Sequence, residues 1–272
     1  MKKVVEAWYR KLFPKRVPKY QSYRPFFLER RGLEIGGPSP IFQNAGFLPV
    51  YNWLHQLDNC TFSNETVWEG RLEAGKSFHY TPGKSGYQFF SEGNNLQFAK
   101  DNSYDCVLSS HNIEHYANPI KALREWKRVV KKGGILLLVV PHKDNTFDHA
   151  RPITTIEHLI QDADVNMEEN DTTHFDEVIE LHDLQKDPAG ISKQELEERT
   201  LNNLQNRCVH HHVFNTPLVV KALDAAGWTI RKINWMNPYH IIVLAQNTGE
   251  QPNNAIWLLP KAFSESPFPS DQ

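Results

Sequence analysis

The sequence predicts an α/β fold built on a mostly parallel sheet, and three observations point to it. Residues 120–130 carry apolar side chains at three- and four-residue steps, which is the pattern of a helix with one buried face. Residues 135–140 are six consecutive apolar residues without alternation, which is typical of a strand buried on both faces. A short apolar run at 106–108 precedes the helix, so strand, helix and strand follow one another as in a βαβ unit.

The carboxyl ends of these two strands are the expected position of a ligand, because open α/β sheets bind ligands there. Ser110 and His111 end the first strand and are expected to border a cofactor. Glu114 and His115 begin the next segment, and a structural hydrogen bond is the favoured role for His115. The second strand is followed by His142 to Asp144, which gives the acceptor side of the predicted site.

Composition is that of a globular protein: 272 residues, of which 40% are hydrophobic and 23% are charged. No apolar run approaches the roughly 18 residues that span a membrane, and the first residues lack the apolar core of a signal peptide. Cys60, Cys106 and Cys208 are widely spaced and form neither a zinc pattern nor a disulfide framework. A cytoplasmic location is therefore expected, with no membrane span and an oligomeric state that the sequence does not determine.

Charge is distributed unevenly although the net charge is only −2. Residues 1–31 hold ten Lys or Arg and two Glu, whereas residues 157–200 hold fourteen Asp or Glu and three Lys or Arg. Two solvated surfaces explain this most simply, and the basic segment contains no nucleic-acid-binding motif. Because this segment is also rich in aromatic residues, we expect residues 1–31 to form an arm or cap on the core, with a short helix from Val4 to Phe13.

A glycine turn follows the first predicted strand, in the order Glu34, Ile35, Gly36, Gly37, Pro38. Glycine lets a backbone approach a ligand closely, and the amides that follow can face its polar groups. By itself the segment could equally be a tight turn. The third glycine of the usual nucleotide-binding pattern is absent, and Pro38-Ser39-Pro40 takes its place.

The second and third strands are predicted at 48–57 and 87–90. Asp58 would end the second strand, 22 residues beyond Gly36, where a carboxylate can accept hydrogen bonds from both ribose hydroxyls. The alternative is an ordinary Asp-Asn turn, and Glu65 or Glu69 would take the ribose role if the register differs. Glu92 and Gly93 follow the third strand.

These segments resemble class I S-adenosylmethionine-dependent methyltransferases of the type 11 group. The residues that carry the resemblance are Asp101, Ser103-Tyr104-Asp105, Ser109, His111, Ile113-Glu114-His115, Pro119, Arg128-Val129-Val130-Lys131, Gly133-Gly134 and Pro141. The resemblance implies S-adenosyl-L-methionine as cofactor and S-adenosyl-L-homocysteine as product. It also implies that Glu34, Gly36 and Gly37 wrap the methionine part, and that Glu92 and Gly93 lie near the adenine.

The resemblance also fixes the expected architecture: a Rossmann-like, seven-stranded, mostly parallel sheet with helices on both faces and a final antiparallel hairpin. Residues 228–235 and 239–245 supply the two strands of that hairpin. The methyltransferase domain is expected at 32–247, with an acidic helical lid inserted at about 151–212. Residues 248–272, rich in Pro, Ser, Asn and Gln, are expected to form a loose tail.

The expected reaction is methylation of an oxygen, or less readily a nitrogen, on a small molecule or glycan. The pattern Thr-Phe-Asp-x-x-Arg, then Thr-Thr-x-x-His-Leu, at 146–159 resembles a subgroup often associated with glycan or surface-polysaccharide biosynthesis. A hydroxyl acceptor needs a general base, and His142 is the first candidate because imidazole titrates near neutral pH. Asp144, His149 and His211 are the reserves.

The run His210-His211-His212 suggests a metal, but consecutive side chains diverge and a metal site needs convergent ligands. No metal is therefore predicted. Three other functions stay open: a non-catalytic binding protein on the same fold, a nucleic-acid or protein methyltransferase, and a nicotinamide enzyme. The sequence lacks the Asn/Asp-Pro-Pro-Tyr motif and a Pro-Cys pair, and its glycine turn differs from G-x-G-x-x-G.

Overall fold

The computed structural model describes residues 15–272, and an eight-stranded sheet forms its centre. In chain order its strands are β1 (Arg31–Ile35), β2 (Gln56–Thr61), β5 (Gly75–Thr81), β6 (Lys84–Phe90), β7 (Tyr104–Ser110), β8 (Val130–Pro141), β9 (Thr229–Met236) and β10 (His240–Gln246). A separate two-stranded hairpin consists of β3 (Glu65–Thr66) and β4 (Gly70–Arg71). The helix predicted from Val4 to Phe13 lies outside the described residues.

The strand order across the sheet is β5-β6-β2-β1-β7-β8-β10-β9. Strands β6, β2, β1, β7 and β8 are parallel, whereas β5 is antiparallel to β6 and β10 is antiparallel to both of its neighbours. Apart from β5, this is the class I methyltransferase arrangement with its antiparallel C-terminal hairpin. The predicted fold is confirmed, with eight strands rather than seven.

The βαβ unit consists of β7, the helix α2 (Pro119–Val129) and β8. Asn118 caps the helix, since its side chain accepts a hydrogen bond from the Lys121 amide. The helix ends at Val129, four residues before the Gly133-Gly134 pair, and β8 begins directly after it. Residues 135–140 of β8 are buried and alternate between two hydrophobic cores, which confirms the prediction of a strand covered on both faces.

Different segments cover the two faces of the sheet. On one face, α2 and α7 (Thr216–Ala225) pack against the strands through residues that include Trp126 and Leu223. On the other face, residues 17–27 and 42–54 form the cover; they include the helix α1 (Arg24–Phe27), whose Phe27 is buried together with Tyr23. The described part of the basic arm therefore lies against the core.

Four further helices lie between β8 and α7. They are α3 (Ile156–Asp164), α4 (Phe175–Leu181), α5 (Lys193–Leu201) and α6 (Asn203–Asn206). Helix α3 packs on α2 and α7, while α4 packs on α5. None of the helices within residues 15–272 is both long enough and apolar enough to cross a membrane.

The C-terminal segment differs from the loose tail that was expected. It forms three short 3₁₀ turns at Ala255–Leu258, Pro260–Phe263 and Pro269–Asp271. Phe268 is fully buried, and the carboxylate of Asp271 accepts hydrogen bonds from the amide and hydroxyl of Thr216 at 2.9 and 2.5 Å. Composition alone predicted disorder because the few aromatic residues that anchor this segment are widely spaced.

Candidate active site

The turn after β1 is built so tightly that two of its positions require glycine. Gly36 has a φ of +76°, and a Cβ there would lie 2.3 Å from Nδ2 of Asn112. A Cβ on Gly37 would lie 2.3 Å from the carboxyl carbon of Glu34. Asn59 supports the turn, because its Oδ1 accepts a 2.9 Å hydrogen bond from the Gly37 amide. This backbone cradle at the carboxyl end of β1 fits the methionine end of the expected cofactor.

Glu34 is completely buried beneath this turn. Its Oε2 accepts a 2.6 Å hydrogen bond from the Tyr51 hydroxyl, and its Oε1 accepts one of 3.1 Å from the Ser39 amide. Burial raises the pKa of Glu34 to about 8, although both hydrogen bonds act in the opposite direction. The side chain expected to contact the cofactor therefore holds the shape of the turn.

Asp58 does not end β2, and this corrects the predicted register. Residues 50–52 form a 3₁₀ turn, β2 begins at Gln56, and Asp58 is buried in mid-strand beside Leu33 of β1. Its carboxylate accepts hydrogen bonds from Arg31 (2.9 Å), Gln56 (3.0 Å), the Tyr87 amide (3.0 Å) and Tyr104 (3.2 Å). This geometry disfavours the ribose contact, because four protein donors already surround the carboxylate.

The β3–β4 hairpin brings a different carboxylate to the carboxyl edge of the sheet. Glu69 is half-buried, its amide donates to Oγ1 of Thr66 at 3.0 Å, and its Oε2 accepts from the Thr66 hydroxyl at 2.5 Å. Burial raises the pKa of Glu69, and its charge contributes to the raised pKa of Glu34. The charge of Glu69 therefore acts on the carboxyl beneath the glycine turn, whereas the other alternative, Glu65, is exposed.

Beyond β6 lie the residues expected near the adenine. Glu92 pairs with Arg207 at 2.5 Å, and the Arg207 guanidinium lies over the ring of Phe62 at 5.4 Å. The carbonyl of Gly93 accepts a 2.8 Å hydrogen bond from Nε1 of Trp126, and a Cβ on Gly93 would lie 1.9 Å from the Tyr116 hydroxyl. The glycine is therefore required for packing, and Glu92 already has a cationic partner.

A carboxylate ringed by histidines follows β7. Oε1 of Glu114 lies 3.8 Å from Nδ1 of His111, 3.9 Å from Nε2 of His115 and 4.0 Å from Nε2 of His210. Glu114 is buried, and among residues 15–272 neither of its carboxylate oxygens has a hydrogen-bond partner. Burial raises the pKa of Glu114 to about 7. We refer to Glu114, His111, His115 and His210 as the Glu114 cluster.

The far nitrogen of each imidazole in the Glu114 cluster has a partner of its own. Nε2 of His111 lies 2.7 Å from Nδ1 of His240, and Nδ1 of His115 lies 3.1 Å from the Val209 carbonyl. Nδ1 of His210 lies 2.5 Å from Oδ2 of Asp148. These partners orient the remaining nitrogen of each ring toward Glu114, so the cluster presents a carboxylate and three imidazoles to one point.

The three imidazoles of the Glu114 cluster differ in the direction of their pKa shifts. Burial lowers the pKa of His111 and of His115 well below the usual value, so both are neutral near pH 7. Burial also acts to lower the pKa of His210, but the Asp148 carboxylate outweighs it and raises that pKa. Asp148 in turn pairs with Arg151 at 2.8 Å, a side chain that is 1% exposed.

The predicted base and its reserves occupy other positions. His142 is fully buried: its Nδ1 accepts from the Asp144 amide at 3.2 Å, and its Nε2 lies 3.1 Å from Oδ1 of Asp271. Both ring nitrogens are therefore engaged, and the ring stacks on Phe268 with centroids 4.0 Å apart. His142 anchors the C-terminal segment, an environment that does not suit a general base.

The reserve candidates for the general base also have hydrogen-bond or ion-pair partners. Asp144 accepts a 2.9 Å hydrogen bond from the Ser270 amide, and His149 pairs with Asp183 at 2.9 Å on a more exposed surface. His211 is buried, with Nε2 3.1 Å from Nδ2 of Asn203. Of the predicted site residues, Ser110 ends β7 as expected, and only His111 joins the Glu114 cluster.

The three consecutive histidines do diverge, as predicted, but two of them meet partners that are distant in sequence. His210 joins Glu114 and His115, whereas His212 joins His158 and His174. Each of these two triads brings one nitrogen or oxygen atom per residue to within 4.8 Å of the others, so each has the ligand types that hold a metal. The prediction of no metal considered only neighbouring residues, because nothing in the sequence shows which distant segments pack together.

Glu114, His210 and Asp148 were not selected from the sequence as catalytic candidates. A Glu-His pair directly after a strand end, together with a histidine run before the last helix, is the pattern that could have suggested them. The sequence does not reveal that both segments meet at one edge of the sheet.

Comparison with known proteins agrees with this geometry. Residues 82–138 match the family model described as "Methyltransferase domain", type 11, and this segment covers β6, β7, α2 and most of β8. No curated protein matches the sequence.

Similar solved structures include a SAM-dependent methyltransferase from Aquifex aeolicus, which is 14% identical in sequence, with a TM-score of 0.43. The match covers 84% of this chain and 87% of that chain. An S-adenosylmethionine-dependent methyltransferase from Mesorhizobium loti is 13% identical in sequence, with a TM-score of 0.48. The match covers 84% of this chain and 96% of that chain. A Haloferax volcanii methyltransferase in complex with the Trm112 activator has 11% identity, covers 93% of each chain and has a TM-score of 0.47.

The strand order, the glycine cradle at the end of β1 and the matched segment from β6 to β8 point to the same conclusion. This chain is an enzyme with the class I methyltransferase fold, and its cofactor is S-adenosyl-L-methionine.

Proposed function

We propose that this enzyme transfers the methyl group of S-adenosyl-L-methionine to a hydroxyl oxygen of a small molecule or glycan, and that the Glu114 carboxylate accepts the hydroxyl proton while His210 lies beside it. The observation that supports this most directly is the Glu114 cluster. Glu114 is a buried carboxylate that has no hydrogen-bond donor among residues 15–272, and its Oε1 lies 3.8–4.0 Å from three imidazole nitrogens. A hydroxyl group placed among them would supply the donor that Glu114 lacks.

Position supports the same assignment. His111 follows β7 directly, and its neighbour Asn112 contacts the glycine turn where the cofactor's methionine end is expected. Bound S-adenosyl-L-methionine supplies an electrophilic methyl group on sulfur. The residues of the chain hold the acceptor oxygen in line with that methyl group and remove its proton, so that positioning accounts for much of the rate.

Glu114 and His210 have complementary parts in this proposal. Asp148 fixes the His210 ring through Nδ1, so that Nε2 faces the acceptor position and Glu114. Glu114 supplies a negative charge and a free lone pair at the same point. We assign proton removal to Glu114 in place of His142, because both nitrogens of His142 are engaged beneath the C-terminal segment.

The ribose of the cofactor is assigned to Glu69 in place of Asp58. Glu69 is carried by the β3–β4 hairpin, which follows the carboxyl end of β2, whereas Asp58 is saturated by four donors in the middle of β2. The same hairpin places Trp68 against His115, with ring centroids 5.6 Å apart. Trp68 is 53% exposed and would be available to stack on a sugar or another flat acceptor surface.

The acceptor class is tested by measuring S-adenosyl-L-homocysteine formation from S-adenosyl-L-methionine with a panel of monosaccharides, oligosaccharides, phenols, amines, peptides and RNA. We expect turnover with a hydroxyl acceptor and a loss of about 10²- to 10⁴-fold in kcat for Glu114→Gln. Glu157→Gln, on the first turn of α3, is the matched control and should retain full activity.

Three outcomes would contradict the proposal. Turnover confined to amines, peptides or RNA would rule out the hydroxyl acceptor. Cofactor binding without turnover on any acceptor would favour a non-catalytic binding protein. Full activity in a correctly folded Glu114→Gln variant would remove Glu114 from the reaction.

A further inference from the structure

A second group of histidines lies outside the Glu114 cluster. His158 and Asp162 are four residues apart on α3, so both project from one face of that helix. His174 immediately precedes α4, and His212 lies in the extended segment before α7. Three separate stretches of chain thus contribute side chains to one place.

Three of the six separations between ligand atoms in this group are close to those around one small ion. Nε2 of His158 lies 3.2 Å from Nε2 of His174 and 3.4 Å from Oδ2 of Asp162, and Nε2 of His212 lies 3.6 Å from the same Oδ2 and 3.3 Å from the Ala117 carbonyl. Tetrahedral zinc with bonds of about 2.0–2.1 Å places its ligand atoms about 3.4 Å from one another. The three separations lie close to that value.

Hydrogen bonding leaves this group incomplete. Asp162 is 4% exposed, and within the part of the chain that the structure describes its Oδ2 has no hydrogen-bond partner. A buried carboxylate oxygen without a partner is costly, and a cation is one of the few partners that would satisfy it.

The donor types of this group favour a transition metal. Three imidazole nitrogens and one carboxylate suit zinc or a similar first-row divalent ion better than magnesium or calcium, which prefer ligand sets made of oxygen.

From these contacts we propose that His158, Asp162, His174 and His212 form a structural zinc site. Four protein ligands complete a tetrahedral shell, so this ion would have no open position for substrate. It would join α3 and the start of α4 to the segment that also carries His210. The His212 amide donates a 3.4 Å hydrogen bond to the Glu114 carbonyl, so the site would also help to hold the Glu114 cluster in place.

Metal analysis of the tag-free, full-length protein tests this site. After expression with added zinc and dialysis, we expect about one zinc ion per chain. His174→Ala and Asp162→Asn should lose most of that zinc. His79→Ala, which changes an exposed histidine on β5, is the matched control and should retain it. Removing the zinc with a chelator should lower the melting temperature by about 5 °C or more, and zinc alone should restore it.

His115→Ala distinguishes this site from the Glu114 cluster, which also has metal-ligand types. Loss of zinc from His115→Ala with full retention in His174→Ala would place the ion at the Glu114 cluster and overturn the proposal. The proposal would also be overturned if the wild-type protein contains no zinc and does not bind zinc in competition with a chromophoric chelator. His158 and His174 would then form only a hydrogen-bonded pair. This wild-type titration decides the question even if the variants fail to fold.

Discussion

Nδ1 of His210 lies 2.5 Å from Oδ2 of Asp148, which joins the histidine run before α7 to the segment after β8. The two residues are 62 positions apart in the sequence. The pair fixes which nitrogen of His210 faces Glu114, and it therefore determines the geometry around the proposed proton acceptor. Asp148 is a positioning residue in this arrangement, since it acts through His210.

Asp148→Asn should lower kcat by about 10²-fold with little change in the KM for S-adenosyl-L-methionine, because the carboxylate orients His210 and does not contact the cofactor. Steady-state kinetics measures this split between kcat and KM. Asp183→Asn is the matched control, since Asp183 pairs with His149 at 2.9 Å away from the cluster, and its kcat should not change. Equal losses in both variants would show a general effect on folding.

His142→Asn should destabilise the protein while leaving the affinity for the cofactor unchanged. His142 is buried against Phe268 and pairs with Asp271, so the substitution removes packing and a hydrogen bond from the C-terminal segment. A loss of about 1–3 kcal/mol in the free energy of unfolding is expected, and urea denaturation measures it. A variant of unchanged stability that has lost turnover would return His142 to the role of general base.

Glu69→Gln should weaken binding of S-adenosyl-L-homocysteine by about tenfold, which calorimetric titration measures directly. A carboxylate accepts hydrogen bonds from both ribose hydroxyls, whereas an amide has one acceptor oxygen. Asp58→Asn serves as the comparison, since its carboxylate already has four protein donors and its loss should reduce stability with little effect on affinity. The reverse order of effects would return the ribose contact to Asp58.

The buried carboxyl of Glu34 should make the stability of the protein depend on pH. An unfolded chain titrates this group near 4.5, whereas burial raises its pKa to about 8 in the folded protein. The folded state therefore binds the proton more tightly. The contribution of Glu34 to stability is fully present below pH 4.5 and is lost as the pH rises through about 8.

Glu34→Gln should accordingly flatten the fall in the free energy of unfolding between about pH 4.5 and 8. Urea denaturation at several pH values measures this slope. Some slope should persist in the variant, because burial also raises the pKa of Glu114 and of Glu169 to about 7. Glu73→Gln, at an exposed position, is the control. A wild-type protein whose stability rises over this range would contradict the assignment.

By itself the sequence determined the fold class, because the patterns that encode it are local. The helix at 119–129, the doubly buried strand at 135–140 and the C-terminal hairpin each follow from the spacing of apolar residues, and glycines mark the turn after β1. These patterns also predicted a ligand at the carboxyl edge of the sheet, because that prediction depends only on strand direction.

The tertiary structure alone decided which side chains meet at that edge. A register difference of a few residues moved Asp58 from the end of β2 to its middle, and the docking of the C-terminal segment enclosed His142. Long-range packing brought His210 to Glu114 and His212 to His158. Such contacts depend on how distant segments share buried space, and this information is not carried by the spacing of residues along the chain.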